Sequence, residues 1–400
     1  MSERIPNLPE RTVSPEGRLA LGRFMGAADE VRWGYPTGWL DGQRLRALGR
    51  KRWFQLTAFS PERIVVVRIL DQGLVGSGFV WVADPRTGRT ELEQRLPGVP
   101  LANLAVGPVA GRGAHAYVSL PTAKVVVRRD GESTAWALNV QLPGHALSLT
   151  FDTRKAPAPL TSIDALRPDS MAPESTRGVL IQRHVGLEVR GTVRFRSEVV
   201  PLERDAFGLV EYGNGFVLTP DEPVSNVSNV SNVVNSSNDD VDHSDEPHPF
   251  GQAAWSSAII APVGVAGGEH PTLPTAPWLA LTDLGEGGAF TWRDGAPLEL
   301  AGPPTFSRPT AADSREPWRI RSAALELSFQ PRCIAIESSH APGLLAGLMV
   351  RARPLAAVAQ ALEMRHALIA GLFEGTVRTS EGPRPIRALG LCEARGFGPA

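Results

Sequence analysis

The chain has 400 residues, which at roughly 150 residues per domain favours two domains or one large all-β body. It contains 40 glycines and 35 prolines, which excludes a helical bundle or coiled coil in favour of many short elements joined by turns. The 41 basic and 42 acidic residues leave a formal net charge of -1, which excludes a global attraction to nucleic acid or anionic lipid. With 42% hydrophobic residues, the chain has enough apolar side chains for a buried core.

The cysteine content and the N-terminal sequence restrict the compartment and the cofactor chemistry. Only Cys333 and Cys392 are present, so a disulfide framework and a multi-cysteine zinc site are excluded, while one bridge between the two is left open. No apolar run has signal-peptide or membrane-spanning length. No metalloprotease histidine pair and no phosphate-binding loop occurs, so we expect no metal and no cofactor. These features predict a cytoplasmic protein without a transmembrane segment and without a nucleic-acid partner.

The elements in chain order are mostly strand patterns. The first twenty residues are polar and contain proline, which predicts an arm. Residues 51–59 and 63–71 are rich in aromatic and β-branched residues, as strands are. Asp130-Gly131 predicts a hairpin between the strand-like runs that flank it. Alternating apolar and polar residues, typical of a strand with one buried face, occur in 146–152, 187–196 and 323–329.

Several segments depart from this pattern. Residues 156–176 are rich in proline and serine and predict a surface connection. Residues 221–249 repeat Ser-Asn-Val before an acidic stretch, and their low complexity predicts a disordered insertion. Pro354–Phe373 suits a helix by its alanine content and a strand by the character of the rest of the chain, so both remain open. Gly213-Asn214-Gly215 opens no helix after a parallel strand, which predicts a turn and not a dinucleotide site.

Aromatic and ionisable residues around the insertion supply the candidate site. Nine tryptophans against three tyrosines suit either the wall of an apolar pocket or the filling of barrel cores. Glu211 and Tyr212 precede the insertion and Trp255 follows it. Because aromatic walls raise the pKa of a carboxyl group, Glu211 is predicted as a general acid or base, with Tyr212 or His184 assisting; a surface glutamate on a turn is the alternative. The candidate ligand-binding residues are Trp53, Asn214, Trp255 and Trp292.

Short motifs, in their order along the chain, resemble an uncharacterised bacterial family known only as a domain of unknown function. They are Lys51-Arg52-Trp53-Phe54, Asp84-Pro85 with Gly88, Gly186–Gly191, Glu211–Gly215 and Gly390–Glu393. The last is also similar to the Gly-Tyr-Val-Glu ending of the carotenoid hydratase and AttH-like group of paired lipocalin-like barrels. The sequence departs from the family pattern at Glu211, where an aspartate is expected, and in its long insertion. The resemblance implies paired barrels and an isoprenoid-like ligand, and it transfers no established activity.

The sequence therefore predicts an all-β fold of two antiparallel lipocalin-like barrels or half-barrels packed together, with few helices. We expect an arm over 1–20, a first domain over 21–177, and a second domain over 178–400 that contains the insertion 221–249. The leading functional hypothesis is the binding of a hydrophobic small molecule, lipid or isoprenoid-like, in a barrel cavity. The alternatives are a hydratase, isomerase or cyclase with an isoprenoid-like substrate, and a structural module without a ligand. The oligomeric state is left open.

Overall fold

The chain is all-β throughout the part that its structure describes. In the computed structural model the described residues are 3–10, 12, 20–28, 50–73, 75–100, 102–165, 178–196, 198–202, 206–216, 255–263, 277–282, 287–309, 313–338, 365–379 and 382–395. Within these ranges, 24 strands form two antiparallel sheets and no helix is present, so the predicted fold class is confirmed. Among the same residues, no helix has the length and apolarity needed to cross a membrane.

The first strand, β1 (Glu3–Arg4), joins the second sheet, and the next fourteen strands form the first. These are β2 (Gly22–Met25), β3 (Arg50–Phe59), β4 (Ile64–Asp71), β5 (Gly76–Asp84), β6 (Arg89–Gly98), β7 (Leu104–Val106), β8 (His115–Leu120), β9 (Ala123–Arg128), β10 (Ala135–Leu142), β11 (His145–Asp152), β12 (Leu160–Ala165), β13 (Gly178–Phe195), β14 (Glu198–Pro201) and β15 (Phe207–Phe216). Their main order is β6-β5-β4-β3-β15-β13-β11-β10-β9-β8-β7. The hairpin predicted at Asp130-Gly131 joins β9 to β10 and is confirmed.

The second sheet contains ten strands, in the order β1-β19-β18-β17-β16-β24-β23-β22-β21-β20. Its other members are β16 (Trp255–Ile260), β17 (Leu279–Thr282), β18 (Gly288–Arg293), β19 (Ala296–Glu299), β20 (Thr305–Ser307), β21 (Trp318–Arg321), β22 (Leu325–Ser338), β23 (Arg365–Thr379) and β24 (Gly382–Arg395). The three long strands β22, β23 and β24 pair in sequence order and form its centre.

The first sheet curls into a nearly closed barrel because glycines let its two ends approach each other. Gly78 of β5 lies beneath Val118 of β8, and Gly98 of β6 lies beneath Leu104 of β7. A Cβ atom at either glycine would collide with the side chain above it. The short strand β7 accordingly packs against β3 and β4, and its hydrogen-bonded neighbour β8 packs against β4, β5 and β6. The second sheet is a half-barrel.

The alternation of side chains sorts the apolar residues into three cores. The first core lies inside the barrel, the second between the two sheets, and the third on the other face of the second sheet. β4 is buried on both faces, which explains why it is a continuous apolar run and not an alternating one. Large core members are Phe54, Trp136 and Phe151 in the first, Phe59, Trp81 and Phe290 in the second, and Trp318, Phe329 and Phe373 in the third.

The described part of the predicted N-terminal arm bridges the two sheets. β1 pairs with β19 of the second sheet, whereas β2 pairs with β12 of the first. Between them, Leu8 N donates to Met25 O at 2.8 Å and Met25 N donates to Pro6 O at 2.7 Å. Ile5 is buried in the core between the sheets. The arm therefore contributes to the contact between the sheets.

The local predictions have different outcomes. Gly178 starts β13 in the middle of the first sheet, and sheet membership changes between Phe216 and Trp255; the division into a domain over 21–177 and one over 178–400 stays a prediction. Gly213-Asn214-Gly215 lies within β15, so the predicted turn is wrong: Gly213 makes room for the Trp53 side chain above the strand. Of Pro354–Phe373, residues 365–373 form strand; the remainder, like the insertion 221–249, lies outside the described residues.

Candidate functional site

A row of polar side chains crosses four neighbouring strands of the first sheet, in the middle of β3 and β15. Arg183 of β13 lies opposite Glu211 of β15, and Glu211 lies opposite Gln55 of β3. Gln55 in turn lies opposite Arg68 of β4. All four residues are buried. Their neighbours along each strand point into the barrel, so by alternation this row faces the second sheet.

The second sheet presents a matching polar row. Thr282 of β17 lies opposite Ser257 of β16, and Ser257 lies opposite Glu393 of β24. His366 of β23 is on the same face and its Nε2 is 3.3 Å from Glu393 Oε2. These residues are also buried, and the apolar residues that alternate with them belong to the third core. The polar rows of the two sheets therefore face each other in the layer that also contains the second core.

Hydrogen bonds of two first-sheet residues join the rows. Gln55 donates its amide N–H to Glu393 Oε1. Arg68 donates from Nη2 to Glu393 Oε2 at 2.7 Å, its Nη1 contacts His366 Nδ1, and its Nε donates to Gln55 Oε1 at 2.6 Å. The guanidinium thus connects its own sheet to two strands of the other. We define the polar junction as Gln55, Arg68, Arg183, Glu211, His366 and Glu393.

Glu211, the second carboxylate of the junction, is held between a cation and an indole. Arg183 Nε donates to Glu211 Oε2 at 2.8 Å, and Trp53 Nε1 donates to Glu211 Oε1 at 2.9 Å. The Trp53 ring lies across β15 at Gly213, where a Cβ atom would collide with it. The glycine therefore places the indole beside the carboxylate. The Glu211 side chain is 11% exposed, so it lies at the boundary of the packed interior.

The charges of the junction balance. Burial alone raises the pKa of the Glu393 carboxyl, but Arg68, His366 and Gln55 together outweigh burial and hold that pKa well below its usual range. Two arginines therefore face two carboxylates. Apolar side chains of similar volume commonly join two buried surfaces as stably as such ion pairs do, because the charges must first be desolvated. Stability alone does not account for the junction, which makes it the candidate functional site.

Tyr212, Asn214 and His184 lie on the opposite face of the first sheet from Glu211, toward the barrel interior. Tyr212 Oη donates to Gly107 O at 3.4 Å. Burial, followed by the charge of Arg129, lowers the pKa of His184 to about 3, so its ring is neutral. The structure therefore brings neither Tyr212 nor His184 to Glu211. The backbone of the first sheet separates both side chains from the carboxyl group that they were predicted to assist.

The three predicted tryptophans have different surroundings. Trp53 contacts Glu211, as described above. Trp292 is buried in the second core and donates from Nε1 to Ala158 O at 2.9 Å. Trp255 begins β16 at the edge of the junction, and its side chain lies outside what the structure describes. Only Trp53 is thus shown to contact the junction.

Sequence reasoning missed four members of the junction. Gln55, Arg68, Arg183 and His366 were not selected, and Glu393 was noted only as part of a motif. One signal was available: Arg68 is the only charged residue between Ile64 and Leu70, in a run that is otherwise apolar. A charge in a strand buried on both faces needs a buried partner. The sequence pattern does not say which residue that partner is.

The cysteines and metal-binding residue types give no second centre in the described chain. Cys333 and Cys392 are both free and buried, so the bridge left open by the sequence is not formed. Burial raises the pKa of the Cys333 thiol to about 11, which keeps it protonated and unreactive. Within the described ranges, no group of three or more histidine, cysteine, aspartate or glutamate side chains is arranged to hold a metal ion.

No family model matches the sequence, and no curated protein matches it. Solved structures of similar fold include kievitone hydratase from Nectria haematococca, with a TM-score of 0.49, 10% identity and coverage of 96% of this chain and 98% of that one. A putative AttH from Nitrosomonas europaea has a TM-score of 0.47 and 13% identity, over 91% of this chain and 99% of that one. CghA has a TM-score of 0.49 and 12% identity, over 93% and 98%. Membership of the uncharacterised family stays a prediction.

Arg68→Met is expected to destabilise the protein by about 3–5 kcal/mol, because it leaves Glu393 buried without its cation. The double variant Arg68→Met with Glu393→Leu is expected to recover most of that loss, because no buried charge is then unpaired. Urea unfolding at neutral pH measures both changes as differences in the free energy of unfolding.

The matched control for this pair is Arg321→Met. Arg321 and Glu326 form an ion pair at 2.8 Å whose side chains are 58% and 72% exposed, so its loss should change stability little. If the double variant is no more stable than Arg68→Met alone, apolar side chains cannot replace this buried ion pair without loss of stability.

His184 is expected to make the protein less stable in mild acid. Its pKa is about 3 in the folded state and about 6.5 in the unfolded state, so below pH 6.5 only the unfolded state takes up its proton. The free energy of unfolding should therefore fall by about 1.4 kcal/mol per pH unit below that point, or about 2 kcal/mol by pH 5.

Urea unfolding of the wild type and of His184→Gln, compared between pH 7 and pH 5, isolates this contribution. The glutamine keeps a hydrogen-bonding side chain and does not titrate, so the variant should lose less stability in acid than the wild type. His115→Gln, at an exposed position, controls for the removal of a histidine. Parallel pH profiles for wild type and His184→Gln would contradict the low pKa.

Proposed function

We propose that this chain binds a neutral, mainly apolar small molecule that carries one hydroxyl or carbonyl group, and that the site is the polar junction between the two sheets. One observation carries the proposal: two ion pairs, Arg68–Glu393 and Arg183–Glu211, are buried between the two sheets within an apolar layer. A few convergent polar groups in an apolar setting are the usual composition of a small-molecule site.

The balance of charge supports a neutral ligand. Both carboxylates are occupied by arginines, at 2.7 Å for Arg68–Glu393 and 2.8 Å for Arg183–Glu211. A carboxylate on the ligand would compete with Glu211 or Glu393 for its arginine and leave a buried charge unpaired, which is costly. A hydroxyl or carbonyl group instead adds a hydrogen bond without disturbing either pair.

The surroundings of the junction support an apolar ligand body. The second core, which lies between the sheets with the junction, includes Phe59, Trp278 and Trp292, and Phe59 meets Trp278 edge to face at 6.1 Å. Aromatic side chains of this kind bury large apolar areas and hold a defined shape. An isoprenoid-like or lipid-like molecule matches this environment, and an extended polar molecule does not.

Farnesol and the isoprenoid ketone geranylacetone are expected to quench or shift the tryptophan fluorescence of the chain, because Trp53 is bonded to Glu211 in the proposed site. Farnesoic acid, which is the charged counterpart of farnesol, should bind at least about tenfold more weakly, the equivalent of about 1.4 kcal/mol for its unpaired charge. Trp53→Phe should reduce the ligand-induced signal, and the remaining part comes from Trp278 and Trp292 of the second core.

Trp318→Phe is the matched control, because Trp318 is buried in the third core on the far side of the second sheet. Its ligand response should equal that of the wild type once both are shown to be folded by thermal melting. If the part of the signal that Trp53→Phe removes responds to farnesoic acid at as low a concentration as to farnesol, or if Trp53→Phe responds like the wild type, the site is not the polar junction. No response to any of the three ligands supports the structural module without a ligand.

A second candidate is an isomerase that moves a proton on such a ligand. The supporting observation is that the Glu211 carboxylate, the group that would act as the base, is held by Arg183 Nε at 2.8 Å at the boundary of the packed interior. In this role the Glu211 carboxylate removes a proton from the carbon beside a ligand carbonyl, the carbonyl oxygen takes the electron pair, and the proton returns to carbon. Trp53 Nε1 donates to Glu211 Oε1, so it is suited to stabilise that oxygen only by leaving the carboxyl group as the latter takes up the proton.

Incubation of the protein with geranylacetone in deuterium oxide tests this candidate. Deuterium should enter the positions beside the carbonyl faster than in buffer alone, as measured by mass spectrometry, and Glu211→Gln should reduce that rate at least about a hundredfold because it removes the base. Trp318→Phe should exchange at the wild-type rate. Binding without accelerated exchange would retain the ligand-binding function and exclude this reaction.

A further inference from the structure

The interior of the barrel holds a second polar group, separated from the polar junction by the thickness of the first sheet. We define the Trp136 cluster as Arg129, Trp136, Gln182 and His184. The Arg129 guanidinium carbon lies 4.4 Å from the centre of the Trp136 ring, and the His184 ring meets Trp136 edge to face at 4.8 Å. Trp136, Gln182 and His184 are buried. The cluster thus places polar groups among the apolar side chains of the first core.

The hydrogen bonds of the cluster fix which of its nitrogens carry protons. The backbone N–H of Ala28 donates to Gln182 Oε1 at 2.9 Å, which orients the Gln182 amide. The other end of that amide, Nε2, therefore donates to His184 Nε2 at 2.6 Å. A neutral imidazole that accepts at Nε2 carries its proton at Nδ1. His184 is therefore a donor at Nδ1.

Trp136 supplies a donor that the described chain leaves unsatisfied. Its side chain is fully buried, and its Nε1 has no hydrogen-bond partner among the described residues. An unpaired buried N–H costs about 1–3 kcal/mol, and native proteins pair nearly all such groups with protein, water or ligand. The cluster offers indole and imidazole N–H donors beside the positive charge of Arg129, whereas the acceptors of Gln182 and His184 are already used.

We propose that the Trp136 cluster binds the carboxylate of a small apolar acid inside the barrel, with Trp136 Nε1 as a donor to it. A carboxylate has acceptor lone pairs only, so it can accept from Trp136 Nε1, the donor that has no partner among the described residues. The positive charge of Arg129 favours an anion over a neutral acceptor. This site is independent of the proposed junction site, because the two face opposite sides of β13 and select ligands of different charge.

The apolar part of the acid would lie among the side chains of the first core. Leu138 and Leu149 of this core are on strands β10 and β11, close to Trp136 along the same sheet. Barrels of this size hold one small ligand when their side chains leave room for it. A medium-length chain such as that of decanoate is therefore the appropriate probe.

Indole N–H resonances in a two-dimensional ¹⁵N–¹H spectrum test the proposal on the full chain. The spectra of Trp136→Phe, Trp53→Phe and Trp318→Phe assign three of the resonances by their disappearance. Decanoate should move the Trp136 signal downfield, as a new hydrogen bond does, while the Trp318 signal stays in place. Decylammonium has the same chain and no acceptor, so it should leave the Trp136 signal unchanged.

The affinity for decanoate supplies a second, independent measure. Trp136→Phe should bind decanoate about tenfold more weakly than the wild type, and Trp318→Phe should bind it equally well. If Trp136→Phe fails to fold, the spectrum of the wild type still decides the question. The proposal is overturned if decanoate leaves the Trp136 signal in place or if decylammonium moves it equally. It is also overturned if the only partner found for the Trp136 N–H is a bound water that decanoate does not displace.

The same spectra separate this proposal from the proposed function. The Trp53 resonance reports on the polar junction, and the Trp136 resonance reports on the barrel interior. A response of Trp53 to farnesol without a response of Trp136 to decanoate rejects the second site alone. A response of Trp136 to decanoate without one of Trp53 to farnesol rejects the junction site alone.

Discussion

The arrangement of the two sheets depends on the guanidinium of Arg68. It reaches from β4 to His366 and Glu393 on two strands of the other sheet, while holding Gln55 on its own. The apolar second core supplies area between the sheets, but apolar contact is non-directional and many relative positions bury similar area. A buried charge tolerates few positions, since each shift leaves it without a partner. Arg68, together with other polar contacts between the sheets such as that of Trp292 Nε1 with Ala158 O, thus restricts how the two sheets fit together.

The two faces of β15 determine which residues can cooperate. Glu211 and Tyr212 are adjacent in the sequence, yet Glu211 faces the second sheet and Tyr212 belongs to the core inside the barrel. Successive side chains of a strand point to opposite faces of the sheet, so two residues adjacent in the sequence cannot act on the same ligand from one face. The partners of Glu211 are residues opposite it on neighbouring strands, such as Arg183 on β13.

The fold class could be predicted because its main signal is local. The alternation in 146–152 and 323–329 becomes β11 and β22 with little change, since a period of two residues needs no knowledge of the partner strand. A buried carboxylate beside an indole was also expected at Glu211. The indole is Trp53, which is far away in the sequence and reaches Glu211 because β3 pairs with β15.

The junction itself could not be predicted, because its contacts depend on pairing that no local pattern encodes. Arg68 and Glu393 are 325 residues apart, and they meet only after each sheet has formed and the two have packed. The placement of β13 is a similar case: Gly178 follows a proline- and serine-rich stretch typical of a domain boundary, yet the strand that it begins pairs with β11 and β15 of the first sheet. Strand pairing is decided by which apolar faces can be buried together, and that property belongs to the whole sheet.

The register of β15 determines whether both proposed sites can exist. A shift of one residue would turn Glu211 into the barrel and Tyr212 toward the second sheet, placing a carboxylate in the first core and removing the partner of Arg183. Gly213 opposes this shift, because it is the position on β15 at which the Trp53 ring fits against the backbone. If the strand slipped, Asn214 or Tyr212 would replace the glycine beneath the ring and collide with it. One glycine thus keeps Glu211 beside Arg183, on the face toward the second sheet, and keeps its carboxylate out of the first core.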